Sequence, residues 1–329
     1  MNHVLVRGRG RVVRRGLAYD QTGLMIAIVV MCLVISWKTP YFFDTGNFSN
    51  LGVAISYGGI MAAGFTLVMI CGGLDLSISS VAALSGQALA FGLTHGWSTA
   101  VAIAFALAIA AACGAFNALL MVGIGINAIV GTIATQFLFR GLAYAWGGGG
   151  AASTAIADAT VSNLANGKWL GVPVPTYIML SVFLAIGFTY RFTRFGSNVT
   201  SVGSNRVAAR RAGIRVGFTM GAAYVVCSLC AGLSGVLLVG LNGGSVPGAA
   251  IGIELTVLAA LVIGGTSLSG GTGSVFGALL GVFALGVLAN GLNLLGVSPF
   301  LKVASVGAAL LLAISIDSIR QRRRAYRDE

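Results

Sequence analysis

Three charged residues lie within or at the ends of long apolar stretches, where an ionisable side chain could bind or move an ion: Asp75, Arg140 and Glu254. A charge inside a membrane segment is costly and by default suggests a functional site. Ion coupling through these residues would make the chain a secondary transporter. Each also has a structural explanation, because Asp75 and Glu254 can cap the helices that follow them and Arg140 can extend along its helix to the bilayer surface. No spacing among the three demonstrates contact, so both explanations stay open.

Four uncharged polar residues join this set as candidates for a substrate path. Ser77 follows Asp75 closely, and Asn117, Asn290 and Asn293 lie within apolar segments. Amides at such positions can face a hydrated path, or they can hydrogen-bond neighbouring helices.

The other reactive residue types give little support for an enzyme. His3 and His95 are the only histidines, so an HExxH metal site is impossible. Cys227 and Cys230 form a CxxC within an apolar run, and we interpret them as small residues in helix packing. We expect no catalytic residue, metal or cofactor on this chain. The sequence contains no GxxxxGK[ST] phosphate loop, so ATP and Mg would be bound by a partner ATPase.

The composition indicates a polytopic membrane protein. The 329 residues are 57% apolar and 9% charged, with a mean hydropathy of +0.94, whereas soluble domains carry about 25% charged residues. A helix needs about 20 apolar residues to cross a bilayer core about 30 Å thick. The sequence therefore predicts an all-α membrane bundle of about ten transmembrane helices. The predicted segments are 22–39, 50–71, 76–95, 97–121, 124–146, 174–192, 217–241, 253–270, 273–295 and 299–318.

The basic residues predict the orientation of this bundle. Sixteen of the 20 Lys and Arg residues lie in the clusters 7–15, 191–215 and 320–327, and the net charge is +12. Basic residues gather in cytoplasmic loops, and ten crossings place all three clusters and both termini on that side. This placement explains the charge without nucleic acid and favours contact with anionic lipid headgroups. The predicted division is a basic cytoplasmic N-terminal segment (1–21), a transmembrane domain (22–318) and a basic cytoplasmic tail (319–329).

The longest predicted cytoplasmic loop, 193–216, contains a short helix at Arg206–Gly213 that ends at its glycine. A helix of this length is not stable alone in water, so it must pack against something. It is either a lid on its own bundle or a docking helix for a cytosolic partner, and the spacing leaves both open.

Glycines form two further patterns. Gly72–Ser77 and Gly264–Ser269 share the pattern GGxxLS, and the predicted spans place both strings on the inner side, whereas an inverted repeat would place them on opposite sides. The match is either a repeat with a miscounted span or a coincidence. Gly273, Gly277 and Gly281 recur every fourth residue, and this stripe predicts close helix contact within the bundle rather than between subunits.

Five strings in one order carry a family resemblance. Cys71–Val81 resembles the GGxDLSxGS stretch of ribose-type permeases of ATP-binding-cassette importers, and Phe139–Tyr144 is similar to their FRGLAY segment. Thr193–Ile214 resembles their cytoplasmic TxFGR…GxN…AAxxxGI loop. Gly264–Gly271 and Asn290–Val297 look like their C-terminal pair. The similarity extends from about residue 50 to 318.

The resemblance implies a permease subunit in the bacterial plasma (inner) membrane. Its partners would be cassette ATPases, a second permease copy or paralogue and an extracytoplasmic solute-binding protein. The usual substrates are pentoses, hexoses and related polyols, with autoinducer-2 as an outlier. Ser79 replaces the usual glycine, and Gly123–Val130 lacks the usual proline, so substrate identity is less secure than the class. The cytoplasmic helix becomes an ATPase-coupling helix that contains Asn205, Arg206, Ala208, Ala209, Arg210 and Gly213.

Overall fold

The computed structural model describes residues 5–148 and 154–328, and most of them are helical. The helices are α1 (Leu5–Lys38), α2 (Thr45–Ile70), α3 (Ile78–Thr94), α4 (Thr99–Ala118), α5 (Ala128–Trp146), α6 (Ala159–Asn166), α7 (Val174–Phe192), α8 (Arg194–Ser204), α9 (Arg206–Arg211), α10 (Val216–Asn242), α11 (Ile253–Ile263), α12 (Val275–Leu294) and α13 (Pro299–Asp328). A π-helical turn, Leu119–Ile124, continues α4. The strands are β1 (Thr154–Ala155), β2 (Lys168–Trp169), β3 (Val172–Pro173) and β4 (Gly244–Ser245), in the antiparallel pairs β1–β4 and β2–β3.

The prediction of an all-α membrane bundle is confirmed, and within residues 5–148 and 154–328 seven helices are long and apolar enough to cross a bilayer. They include the apolar part of α1 from Gln21, together with α2, α4, α5, α7, α10 and α12. The other three predicted segments coincide with shorter apolar helices, Ile78–Thr94, Ile253–Ile263 and Pro299–Leu312. Ten crossings and the location of the termini therefore stay predictions.

Helices α2 and α10 form the centre of the bundle, and small residues let them approach closely. A Cβ at Gly64 of α2 would lie 2.9 Å from the Cα atom of Cys227 and 2.9 Å from the sulfur of Cys230. Both cysteines are buried free thiols. Their position agrees with the interpretation of the CxxC as helix packing. Farther along, the Ser234 hydroxyl donates to the Tyr57 carbonyl over 2.8 Å.

Gly277 and Gly281 of the predicted glycine stripe pack against α11 of the same chain, whereas Gly273 precedes α12 and lies against Ile70 at the end of α2. A Cβ at Gly277 would overlap the carbonyl oxygen of Gly264, and a Cβ at Gly281 would overlap that of Ala260. The two backbones therefore touch, as the every-fourth-residue spacing predicts.

The connecting segments gather at two ends of the bundle. We call one the α8–α9 end, which contains α8, α9 and the loops 71–77 and 264–274. The other, the α6 end, contains α6 and the β2–β3 hairpin. Asp158 caps α6 by accepting from the backbone N–H of Val161 (2.9 Å) and also accepts from the Thr99 hydroxyl (2.8 Å). These bonds hold the pKa of the Asp158 carboxyl below its ordinary value. Residues 149–153, between the predicted segments 124–146 and 174–192, lie outside the described ranges.

Candidate functional site

The loop 71–77 separates α2 from α3 and interrupts the helical structure at this point of the bundle. Helix α2 ends because Gly72 takes a left-handed conformation (φ +77°), and the N–H of Gly73 bonds back to the carbonyl of Val68 over 2.9 Å. The chain then enters the bundle, where Asp75 is completely buried. Tyr224 of α10 donates from its hydroxyl to the Leu74 carbonyl over 3.2 Å and fixes the loop from the opposite side.

Asp75, Ser77 and Asn117 form a buried polar cluster. Oδ1 of Asp75 accepts from the backbone N–H of Ser77 (3.0 Å), from its hydroxyl (2.6 Å) and from Nδ2 of Asn117 (3.4 Å). Nδ2 of Asn117 also lies 2.8 Å from Oγ of Ser77. Asp75 accepts the backbone N–H of Ser77, which immediately precedes α3, so one of its contacts is that of a helix cap. The link to Asn117 on α4 goes beyond a cap and joins three sequence-predicted residues.

Two buried acceptors of this cluster accept no hydrogen bond from nitrogen or oxygen among the described residues, Oδ2 of Asp75 and Oδ1 of Asn117, and the Cys227 thiol lies beside the Asp75 carboxyl. Buried polar atoms are costly unless they are hydrogen-bonded. A cavity of about 370 Å³ adjoins the loop and is lined by Gly72, Gly73, Leu74, Asn127, Arg206 and Tyr224, among others. This cavity therefore lies beside the loop that carries Asp75 and extends to Arg206 of α9.

A second interruption precedes α11. This helix has 11 residues and is about 16 Å long at about 1.5 Å per residue, half of a bilayer core. The predicted segment 253–270 is wrong at its C-terminal end, because the turn at Gly264 and Gly265 (φ +85°) stops the helix. Before α11, Ala249 lies beside Ala82 and Gly86 of α3 around a small void. The segment 243–252 therefore enters the bundle instead of staying outside it.

Arg140 and Glu254 lie at this second interruption. Nη1 of Arg140 donates to the carbonyls of Pro247 (2.7 Å) and Ala249 (2.8 Å). One turn earlier on α5, Nε2 of Gln136 donates to Oε1 of Glu254 over 3.0 Å, and Glu254 is only 7% exposed. The guanidinium thus fastens the segment 243–252 to α5 instead of extending to the bilayer surface.

The structure divides the three predicted charges between these two places. Asp75 bonds to Ser77 and Asn117, whereas Arg140 donates to the carbonyls of the segment 243–252 and Glu254 accepts from Gln136. No hydrogen bond or ion pair in the described part of the chain joins Asp75 to either of the other two. This arrangement gives no support to a continuous relay through the three charges.

Asn290 and Asn293 connect helices near the α6 end. Asn290 and Asn47 exchange two amide hydrogen bonds of 2.8 and 3.1 Å, which join α12 to α2. The Asn293 carbonyl oxygen accepts from the ammonium of Lys302 on α13. Both asparagines also line a cavity of about 310 Å³ with Asn50, Thr256 and mainly apolar neighbours. The two asparagines therefore hydrogen-bond to neighbouring helices and also line this cavity.

The short helix predicted at Arg206–Gly213 is present as α9 (Arg206–Arg211), and its cytoplasmic location stays a prediction. Asn205 caps it by accepting the N–H of Ala208 over 2.9 Å, and Gly213 follows it with φ +82°. Ala209 faces the bundle and is buried, whereas Val207 is 61% exposed and Arg210 is also exposed. The helix therefore packs on its own chain through one side and leaves its other side free.

Sequence reasoning missed three participants. The loop 193–216 contains a second helix, α8, which the buried Gly196, Val199 and Val202 at intervals of three could have indicated. Gln136 and Asn47 look like ordinary polar residues near helix ends. No sequence signal identifies them, because their partners Glu254 and Asn290 are 118 and 243 residues away.

Comparison with known proteins gives a consistent result over most of the chain. Residues 47–314 match the family model described as branched-chain amino acid transport system / permease component. The chain is 36% identical over 299 residues to the ribose import permease protein RbsC of Escherichia coli (strain K12), with 90% of this chain and 93% of that protein covered.

Two further relatives agree. The L-arabinose transport system permease protein AraH of Escherichia coli (strain K12) is 32% identical over 307 residues, covering 93% of each chain. RbsC of Bacillus subtilis (strain 168) is 33% identical over 298 residues, covering 91% of this chain and 92% of that protein. No solved structure matches the chain.

Proposed function

We propose that this chain imports a neutral sugar by alternating access. It belongs to the family described as branched-chain amino acid transport system / permease component. Within that family it is a multi-pass inner-membrane sugar permease of the ABC-importer type. The observation that carries the proposal is the near full-length similarity to ribose and arabinose permeases. A pentose, hexose or related polyol is the expected substrate class.

The energy would come from a separate cassette ATPase that binds ATP and Mg. The chain would act as a dimer with a second copy or a paralogue, and an extracytoplasmic solute-binding protein would deliver the substrate. The exposed side of α9, with Val207, Ala208 and Arg210, supports docking of the ATPase at the α8–α9 end. In this orientation both termini are cytoplasmic.

The substrate path would use hydroxyl and amide partners, because a sugar carries no charge to pair. Two observations support this chemistry. The cluster of Asp75, Ser77 and Asn117 has buried acceptors that accept no hydrogen bond from nitrogen or oxygen among the described residues, and Asn290 and Asn293 line a cavity. Arg140 and Glu254, at the segment 243–252, would shape the same path from the α6 side.

A mild-detergent purification of the tagged chain, followed by mass spectrometry of the bound proteins, tests the proposal. We expect a cassette ATPase to co-purify, and a solute-binding protein to associate when ATP is trapped on the complex. The matched control is the same chain with Ala208–Gly213 deleted, which should insert into the membrane but lose the ATPase. Repeated isolation of the intact wild-type chain without any ATPase would contradict the proposal.

A further inference from the structure

The loops 71–77 and 264–274, which follow α2 and α11, begin with the same turn. At the end of α2, the N–H groups of Gly72 and Gly73 bond to the carbonyls of Met69 and Val68, each over 2.9 Å. At the end of α11, the N–H groups of Gly265 and Thr266 bond to the carbonyls of Val262 and Leu261, each over 2.9 Å. Gly72 and Gly265 are both left-handed, with φ +77° and +85°. The equivalence is shifted by one residue from the GGxxLS match, which pairs Gly72 with Gly264.

The two loops that follow these turns touch each other at the α8–α9 end. The N–H of Gly271 donates to the carbonyl of Ile70, the last residue of α2, over 2.8 Å. A Cβ at Gly270 would lie 2.6 Å from the Cα atom and 2.8 Å from the nitrogen of Gly72. A side chain at Gly270 would not fit this contact, so the two loops meet backbone to backbone.

Helix α8 sits on this same contact. A Cβ at Gly203, in its last turn, would overlap the Ile70 carbonyl oxygen and lie 2.6 Å from the nitrogen of Gly271. Two residues after the end of α8, Arg206 of α9 donates from Nη2 to the Gly72 carbonyl over 2.8 Å. The α8–α9 pair is therefore joined to both loops through Gly203 and Arg206.

We propose that Gly72, Gly203, Gly270 and Gly271 form a glycine junction that transmits movement of α8–α9 to the loops 71–77 and 264–274 together. The proposal rests on the proposed function, because the movement would originate in the ATPase. Asp75 follows Gly72 by three residues, and α12 begins four residues after Gly271. Displacement at the junction thus reaches the buried polar cluster and the α11–α12 pair. Gly203 and Arg206 are positioning residues and need not touch substrate.

Gly203→Ala in the complete complex, with ATPase and solute-binding protein in proteoliposomes, tests the junction. The added methyl group separates α8 from the loops while the exposed side of α9 is unchanged. We expect basal ATP hydrolysis to persist and sugar uptake per ATP hydrolysed to fall about tenfold or more, the scale of overpacking a close contact. Gly217→Ala, whose Cβ would have its nearest neighbour at 3.6 Å, is the matched control and should couple normally. Uptake per ATP equal to the control would overturn the proposal.

A measurement on the wild-type complex covers the case in which Gly203→Ala does not assemble. Hydrogen exchange, with and without a non-hydrolysable ATP analogue, should change in 66–77 and 264–275 together with 193–216. The Gly271 amide reports the junction directly because it bonds to α2. A change confined to 193–216 would overturn the junction while leaving the importer intact. A wild-type chain that binds no ATPase and shows no nucleotide response would instead contradict the proposed function.

Discussion

Replacement of Arg140 provides a quantitative test of how the segment 243–252 is held. Arg140→Met removes the donors that the carbonyls of Pro247 and Ala249 accept from, at 2.7 and 2.8 Å. A hydrogen bond to a charged group is worth about 1.5–3 kcal/mol, so the pair is worth about 3–6 kcal/mol. Because the guanidinium is only partly buried, solvent screening favours the lower limit, about 3 kcal/mol.

A loss of about 3 kcal/mol corresponds to a shift of roughly 100-fold between the held and released segment. We expect the apparent melting temperature of the detergent-purified variant to fall by about 5 °C or more. Sugar uptake should fall at least about tenfold, because the released segment can no longer shape the path. Arg140→Lys should give an intermediate result, since one ammonium group cannot reproduce the guanidinium fork.

The matched control for this change is Arg191→Met at the exposed end of α7, where the guanidinium lies 5.8 Å from the ring of Phe192. It makes the same chemical replacement without removing a hydrogen bond to 243–252. If Arg140→Met and Arg191→Met have the same melting temperature and uptake, the reasoning about this segment is refuted.

Three further predictions follow from other contacts. Asn117→Leu removes the amide from the buried cluster and should lower uptake without preventing ATPase co-purification; unchanged uptake would exclude a role in the path. Because the N–H of Val161 lowers the pKa of Asp158, this carboxyl stabilises the fold fully above its unfolded pKa, about 3.9, and less as pH falls toward the folded value. Melting of wild type should therefore be more acid-sensitive than that of Asp158→Asn, and parallel pH profiles would contradict this. Gly281→Val should separate α12 from α11 and reduce the yield of folded protein, whereas Gly307→Val, with open space around it, should not; equal yields would contradict the packing.

Apolar length and charge placement predict most of the fold because the bilayer imposes both. The segment 174–192 coincides with α7, and the other predicted segments coincide with helices to within a few residues at most ends. The prediction fails where a backbone turn, rather than hydropathy, determines the end of a helix. The predicted segment 253–270 includes residues 264–270, but α11 ends at Ile263 and the left-handed Gly265 turns the chain away.

The candidate sites show the same difference between what the sequence predicts and what only the folded structure reveals. The residue type singles out Asp75, because a charge inside an apolar run is unusual, and Ser77 lies two residues later. Their link to Asn117 depends on the packing of α3 against α4, and a single sequence does not contain that information. Arg140 illustrates the opposite case, since its helical position suggested the bilayer surface while its actual partners are carbonyls 107 and 109 residues later.

The central claim is that a separate ATPase drives transport through this chain. The direct measurement is uptake of radiolabelled ribose and arabinose into proteoliposomes containing the chain and its co-purified ATPase, with solute-binding protein outside the vesicles and ATP at the ATPase side. The account predicts uptake of a sugar that requires ATP and all three components, and none from the chain alone. Uptake by the chain alone, driven by an ion gradient and lost in Asp75→Asn, would contradict the account and favour a secondary transporter.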